Sequence, residues 1–212
     1  MDDDKNIHGK IRLEHVISFA DAIFAFSITF MAISIQIPDL PHNNNNNNIT
    51  QTELIAKLLE LRPQFETYVI SFFIIGIYWI SYHQVFNHIT GSHTIMIWLN
   101  LLFLFFITLI SFATGLQINY GLYHIIFIIY ALILTITGLL LASIWLHAKK
   151  NNLIDKRLSR IQTRNIFLQS LLPPTAFVIS ILISFVNIQI AYYFWMVIIP
   201  GKIILRKISY PY

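Results

Sequence analysis

Long apolar stretches, separated by short polar segments, run through most of this chain. A helix needs roughly 20 apolar residues to cross the hydrocarbon core of a bilayer. Six stretches reach or approach that length, at approximately residues 14–37, 66–88, 94–117, 121–147, 165–187 and 189–206. Strands of a membrane β-barrel would alternate apolar and polar residues over about 10 positions, and these stretches do not. The pattern predicts an all-α integral membrane protein with six transmembrane helices.

Two segments depart from simple spans and short turns. The connection 38–65 contains the low-complexity run HNNNNNN, which is typical of disorder, and then TQTELIAKLLELRP, which predicts a short amphipathic helix at the membrane surface. Pro63 is expected to mark the bend into the second span. The last stretch is the shortest and contains Pro200 and Gly201, so we expect a kink or break there.

Composition and charge agree with this topology. Of 212 residues, 56% are hydrophobic and only 11% charged, which favours one six-helix membrane domain over residues 1–212. Basic residues accumulate on the cytoplasmic side of membrane proteins, so their distribution predicts that both termini are cytoplasmic. Of the 14 basic residues, only Lys57 and Arg62 would then lie outside. The inside set is Lys5, Lys10, Arg12, Lys149, Lys150, Lys156, Arg157, Arg160, Arg164, Lys202, Arg206 and Lys207.

Asp21 lies about two turns inside the first predicted span, in SFADAIFAFSIT. Ionisable groups at such depth are rare, costly and usually paired. The second span supplies candidate partners at four-residue spacing on one face, namely Trp79, His83 and Asn87. Because the two spans run in opposite directions, residues 21 and 83 lie at similar depth. We expect the indole or imidazole to hydrogen-bond to the Asp21 carboxylate, in a structural clamp.

Other chemistry finds little support in the sequence. A metal site would have to join His83 to His88, but five residues along a helix point two side chains in different directions. A nucleophile elbow, a P-loop and paired membrane aspartates are all missing from the sequence. We therefore expect no enzyme, no cofactor, no bound metal and no nucleic-acid partner.

Phe26, Thr29 and Ile33 follow the spacing i, i+3, i+7 and so share one stripe of the first span. The simplest interpretation of Thr29 is a hydroxyl that bonds back to a carbonyl of the preceding turn. The alternative is a pore-lining stripe, in which bulky apolar side chains form a constriction that gates by dewetting beside a ring of hydroxyls. The residues alone leave both interpretations open.

Three blocks together resemble a known family. FADAIFAFSITFMAISIQIP, GIYWISYHQVF and WLNLLFLF, in the first three spans, are similar to prokaryotic homologues of the endolysosomal transmembrane potassium channel. That family is marked by Arg-x-x-x-Phe-Ser-Asp in its first helix and Trp-x-x-x-His in its second. Phe19 and Asp21 match the first motif, and Trp79 and His83 match the second.

The resemblance implies a potassium-favouring cation channel in the plasma membrane, with passive permeation. It also implies a homotetramer with a central pore lined by the first helix, and no re-entrant filter loop. By the same resemblance Phe26 forms the narrow apolar ring, Thr29 a hydroxyl layer and Ile33 a further apolar layer. Asn100 matches a polar family position whose role stays open.

The chain departs from the family pattern at three positions. His15 stands where the motif has arginine, Ala20 where it has serine, and Phe26 where the constriction has a branched aliphatic residue. Arg12, one turn earlier, is long enough to serve in place of the arginine. A histidine at position 15 beside Asp21 predicts pH-sensitive conduction, since histidine titrates near neutrality.

Two alternative functions stay open. Asp21 and His83, with His88 as a cytoplasmic exit, would suit a proton pathway or a proton-coupled transporter. Residues 118–212 carry no counterpart of the intramembrane aspartate or of Trp-x-x-x-His, so the sequence shows none of the internal repeats common in transporters. The third interpretation is a non-conducting membrane scaffold.

Overall fold

The computed structural model describes residues 12–36, 50–121 and 123–209, and nearly all of them are helical. Six helical segments are long and apolar enough to cross a membrane, which confirms the predicted all-α fold with six spans and makes the chain a multi-pass membrane protein. The elements are α1 (Leu13–Ala32), α2 (Gln51–Glu60), α3 (Arg62–Phe86), α4 (Thr94–Tyr120), α5 (His124–Lys150), α6 (Arg160–Ser184), α7 (Ile188–Phe194), a 3₁₀ turn (Trp195–Val197) and α8 (Ile198–Ser209).

The predicted amphipathic segment forms α2. Thr50 caps its N-terminus, because the side chain accepts from the backbone N–H of Glu53 while the Glu53 carboxylate accepts from the backbone N–H of Thr50. None of its ten residues is buried, as expected of a helix lying at a membrane surface. Pro63 lies in the first turn of α3, at the predicted bend. Residues 38–49 of the long connection, with the asparagine run, lie outside the described residues.

The last span is interrupted next to Pro200 and Gly201, as expected. The break is the 3₁₀ turn Trp195–Val197, whereas Pro200 and Gly201 both lie in the first turn of α8. In that turn the backbone N–H groups have no intrahelical partner, so a proline costs α8 little. Trp195 is almost fully buried and its indole donates to Ser180 Oγ of α6 at 2.8 Å. Pro200 has no N–H to donate to the carbonyl of Met196, four residues earlier, so the 3₁₀ turn lies where the proline disfavours a regular helix.

Helix packing places α1 at one side of the bundle. α4 contacts α1, α3 and α5, while α6 contacts α5, α7 and α8. The core between α1, α3 and α4 is aromatic, with Tyr82 stacked on Phe103 at 5.6 Å and on Phe86 at 4.2 Å. α1 therefore buries one face against α3 and α4 and leaves another face uncovered.

Gly138 of α5 allows a close contact with Pro174 of α6. A Cβ at this position would lie 2.5 Å from Cδ of Pro174 in α6. We expect Gly138→Ala to destabilise the protein by roughly 1–3 kcal/mol, the usual cost of overpacking. Gly76→Ala is the matched control, since a Cβ there meets nothing within 4 Å. Melting of the purified protein, followed by size-exclusion fluorescence, should show a lower Tm for Gly138→Ala only, and equal Tm values would contradict the contact.

Candidate functional site

α1 has two opposite faces. Its buried residues are Val16, Ala20, Phe24, Ser27 and Met31, which form one stripe against α3 and α4. The predicted pore stripe lies on the other side of the helix, where Phe26 is 58% and Ile33 75% exposed, and Thr29 is also exposed. The three side chains therefore point out of the protomer, toward lipid or toward other copies of the chain.

Asp21 lies between these two faces and turns toward α3. The indole Nε1 of Trp79 donates to Asp21 Oδ1 at 2.8 Å, and Nε2 of His83 hydrogen-bonds to the same oxygen at 2.8 Å. The two rings are close to perpendicular, with centroids 4.8 Å apart. Because Trp79 and His83 are four residues apart on one face of α3, both can reach a single carboxylate. We call these three residues the Asp21 clamp.

A second connection, from α4, was missed by sequence reasoning. The Ser111 hydroxyl donates to the backbone carbonyl of Ser27 at 2.8 Å, and both residues are buried. One turn further along α4, a Cβ on Gly115 would lie 3.0 Å from Oγ of Ser34, so α4 also closely approaches the residues that follow α1. Ser111 and Gly115 are small residues four positions apart in an apolar helix, a spacing that indicates close helix packing. The sequence therefore contained a signal for this contact. α1 is thus attached to α3 through Asp21 and to α4 through Ser27.

The cytoplasmic partner proposed for Asp21 is not found. Arg12 instead forms an exposed ion pair with Glu14 at 3.5 Å. His15 is exposed and lies six residues before Asp21, which on a helix means about 9 Å of rise and a different face. The basis for expecting His15 to act on Asp21 is therefore absent, and the histidine bound to the carboxylate is His83. Phe19 of the family motif is half exposed.

Asn100 lies in the interior. It is 2% exposed and its amide oxygen has no hydrogen-bond partner among the described residues. The adjacent aromatic layer contains Phe24, Tyr82 and Phe103, with Phe24 5.9 Å from Tyr82 and 6.1 Å from Phe103. Asn100 is therefore a polar residue behind α1, away from the exposed stripe.

The Thr29 hydroxyl bonds back to carbonyls of the preceding turn, which is the simplest interpretation of this residue. Its hydroxyl lies 3.0 Å from the carbonyl oxygen of Ala25 and 2.9 Å from that of Phe26, so its proton is directed at the backbone. The lone pairs of the oxygen then point away from the helix. Back-bonding and pore lining are thus compatible, because an oxygen presented in this way can accept from water or contact a cation. Phe26 stacks on Phe30, with ring centroids 5.6 Å apart.

The residues that a metal site would have to join are His83 and His88. The described part of the chain contains no group of three or more His, Cys, Asp or Glu side chains that could hold an ion. The imidazole of His83 is engaged with Asp21. Asn87, the third residue of the predicted face, is the C-cap residue directly after α3.

Comparisons with known proteins find similar chains that are named as channels. Residues 15–110 match the family model described as endosomal/lysosomal potassium channel TMEM175. A potassium channel of Streptomyces collinus is 25% identical over 80% of this chain and 81% of its own length. The mouse endosomal/lysosomal proton channel TMEM175 is 28% identical over 48% of this chain and 20% of its own length. The crystal structure of a TMEM175 homologue from Chamaesiphon minutus superimposes with a TM-score of 0.75, at 22% identity, over 93% of this chain and 97% of that one.

Proposed function

We propose that this chain, a homologue of the TMEM175 family, forms a potassium-favouring cation channel through which ions move passively down their electrochemical gradient. The observation that carries the proposal is the exposed stripe of Phe26, Thr29 and Ile33, opposite the face that α1 buries. In a single protomer this stripe lies on the outer surface and does not enclose a pore. Copies of the chain arranged around an axis would place it on the wall of a pore, and we propose four copies in the cell membrane, with both termini inside.

Each layer of the stripe has a physical role in this pore. The Phe26 rings form an apolar constriction, which water and hydrated ions enter only at a cost in free energy. Thr29 presents hydroxyl lone pairs to a partly dehydrated cation next to that constriction. Ile33 extends the apolar wall. Selectivity of this kind is moderate, because no fixed cage of carbonyls replaces the hydration shell.

The Asp21 clamp has a positioning role in this proposal. It attaches α1 to α3 on one side while Ser111 attaches α1 to α4 on another, so rotation of α1 about its axis breaks one or both contacts. With α1 held in this way, the stripe keeps a constant direction. Asp21 itself faces α3 and does not lie on the stripe.

Ion flux from liposomes tests the function and the hydroxyl layer together. We expect purified protein to release potassium faster than sodium, and Thr29→Val to reduce the potassium-to-sodium ratio about tenfold by removing the oxygen. Thr108→Val is the matched control, since that hydroxyl makes the same kind of backbone bond on α4, to Phe105 at 2.7 Å. Equal potassium and sodium rates in all three proteins would contradict the selectivity mechanism, and no flux at all would favour the scaffold interpretation.

A second candidate function is proton conduction. A cavity of about 510 Å³ opens beside the clamp and is lined, among others, by Trp79, His83, Asn87 and His88. Water in this cavity would connect His83, and through it Asp21, with the end of α3. Proton flux that is abolished by His83→Gln and unchanged by Phe26→Ala would favour this function over potassium permeation.

A further inference from the structure

A groove of about 500 Å³ lies where the end of α5 meets the beginning of α6, remote from the α1 stripe. Three of its lining residues are cationic, namely Lys149 of α5 and Arg160 and Arg164 of α6. Four others are Trp145, Leu146, Leu158 and Phe167, which are apolar. We call this the α5–α6 groove. A ligand that fits this groove therefore carries negative charge near the three cations and apolar groups near the other four residues.

The three cations lack an anionic partner within the described residues. Arg160 and Arg164 are four residues apart on one face of α6, where like charges repel. The ion pairs that the described residues form involve other basic groups. Asp155 in the adjoining loop does not line the groove, and its carboxylate accepts from the backbone N–H of Arg157 at 2.9 Å. An anion in the groove would relieve this repulsion.

The groove is held in shape by its surroundings. The Trp145 indole donates to the Thr163 carbonyl at 3.2 Å and so ties α5 to α6 across the base of the groove. Ser159 and Gln162 form a reciprocal capping box that fixes the first turn of α6. Two backbone hydrogen bonds join the loop before α6 to the α3–α4 connection. The N–H of Thr90 donates to the carbonyl of Leu153 at 2.8 Å, and the N–H of Asp155 donates to the carbonyl of His88 at 3.0 Å. An anion would therefore bind cationic side chains whose helices are already held in place.

The position of the groove in the membrane decides which anion fits. It lies at the end of two spanning helices, where basic side chains reach the headgroup level while their aliphatic stems lie along apolar surface. Leu146, 47% exposed one turn before Lys149, continues the apolar part toward the acyl chains. A free inorganic phosphate would use the cations only, whereas a lipid uses both parts. Basic pockets between spanning helices are the usual setting for anionic headgroups.

We propose that the α5–α6 groove binds one anionic glycerophospholipid, with the lipid phosphate between Arg160, Arg164 and Lys149 and the first acyl carbons against Leu146 and Phe167. The site is separate from the pore and does not depend on the proposed channel activity. The two guanidinium groups supply most of the attraction, because each can donate two parallel hydrogen bonds to phosphate oxygens.

Native mass spectrometry of the purified full-length protein tests the site with defined lipids. The probes are dioleoyl phosphatidylglycerol and dioleoyl phosphatidylcholine, which share acyl chains and differ in net charge. We expect the wild-type protein to retain phosphatidylglycerol preferentially and R160Q/R164Q to bind it at least tenfold more weakly. The matched control is K156Q/R157Q, which removes the same charge from the connection just before α6, at two residues that do not line the groove.

Each outcome decides the proposal. Weaker phosphatidylglycerol binding by R160Q/R164Q, with the control variant unchanged, supports the site. If the double variant does not fold, Lys149→Gln, which leaves α6 unaltered, should show a smaller reduction in phosphatidylglycerol binding. Equal weakening by both double variants would overturn it in favour of diffuse attraction by the loop. Equal retention of the two lipids would overturn it as well, and displacement of the lipid by an equal concentration of inorganic phosphate would identify the ligand as free phosphate.

Discussion

Phe26→Ala is expected to raise potassium flux at least tenfold and to lower the preference for potassium over sodium. Four phenylalanine rings at one level of the proposed pore leave little room for water, so an ion loses part of its hydration shell there. Alanine removes most of each side chain, and hydrated ions of either kind could then pass. A tenfold change corresponds to only about 1.4 kcal/mol in the barrier, which is small beside the cost of dehydrating an ion.

Phe105→Ala provides the matched control for this prediction. Phe105 has nearly the same exposure as Phe26, 55% against 58%, but it lies on α4 and not on the α1 stripe. Liposome flux with potassium and sodium should therefore distinguish the two variants. If Phe105→Ala raised the flux as much as Phe26→Ala, the constriction would not lie on α1.

Asp21→Asn is expected to reduce potassium flux at least tenfold by loosening the clamp. An amide has nearly the shape of the carboxylate, but hydrogen bonds from Trp79 and His83 to a neutral oxygen are about half as strong as bonds to a charged one. Weaker bonds allow α1 to rotate about its axis, which turns Phe26 and Thr29 away from the pore. The side chain of Asp21 is 44% exposed in the protomer, so we expect a moderate loss in stability, about 1–2 kcal/mol.

A double-mutant cycle separates the clamp from a general effect of charge. Trp79→Phe removes one donor, and the double variant with Asp21→Asn should lose less than the sum of the two single losses, because the two residues share one hydrogen bond. Glu14→Gln removes the same charge from the same helix at an exposed ion pair with Arg12, and should leave flux unchanged. Additive losses in the cycle would contradict a direct connection between Asp21 and Trp79.

The sequence led to the clamp because its members obey short-range rules. An aspartate inside an apolar helix requires a partner, and Trp79 and His83 recur at the helical spacing of a neighbouring antiparallel span. Because the two spans run in opposite directions, similar depth in the membrane was enough to pair Asp21 with Trp79 and His83. The same reasoning failed for Arg12, because a flexible exposed side chain has several partners within reach and a glutamate two residues away was nearer.

The length of the apolar stretches by itself determined the six helices, because in a bilayer every backbone polar group of a single span must be bonded within its own helix. The helical assignment also determined that Phe26, Thr29 and Ile33 share a stripe, since that follows from 3.6 residues per turn. Only the tertiary structure decided which way the stripe faces, because that depends on α3 and α4 covering the opposite side of α1. Likewise, only packing gathered Lys149, Arg160 and Arg164 around one groove, since helices from different parts of the chain meet there. Contacts between distant segments depend on how whole surfaces fit together, and local patterns do not encode that fit.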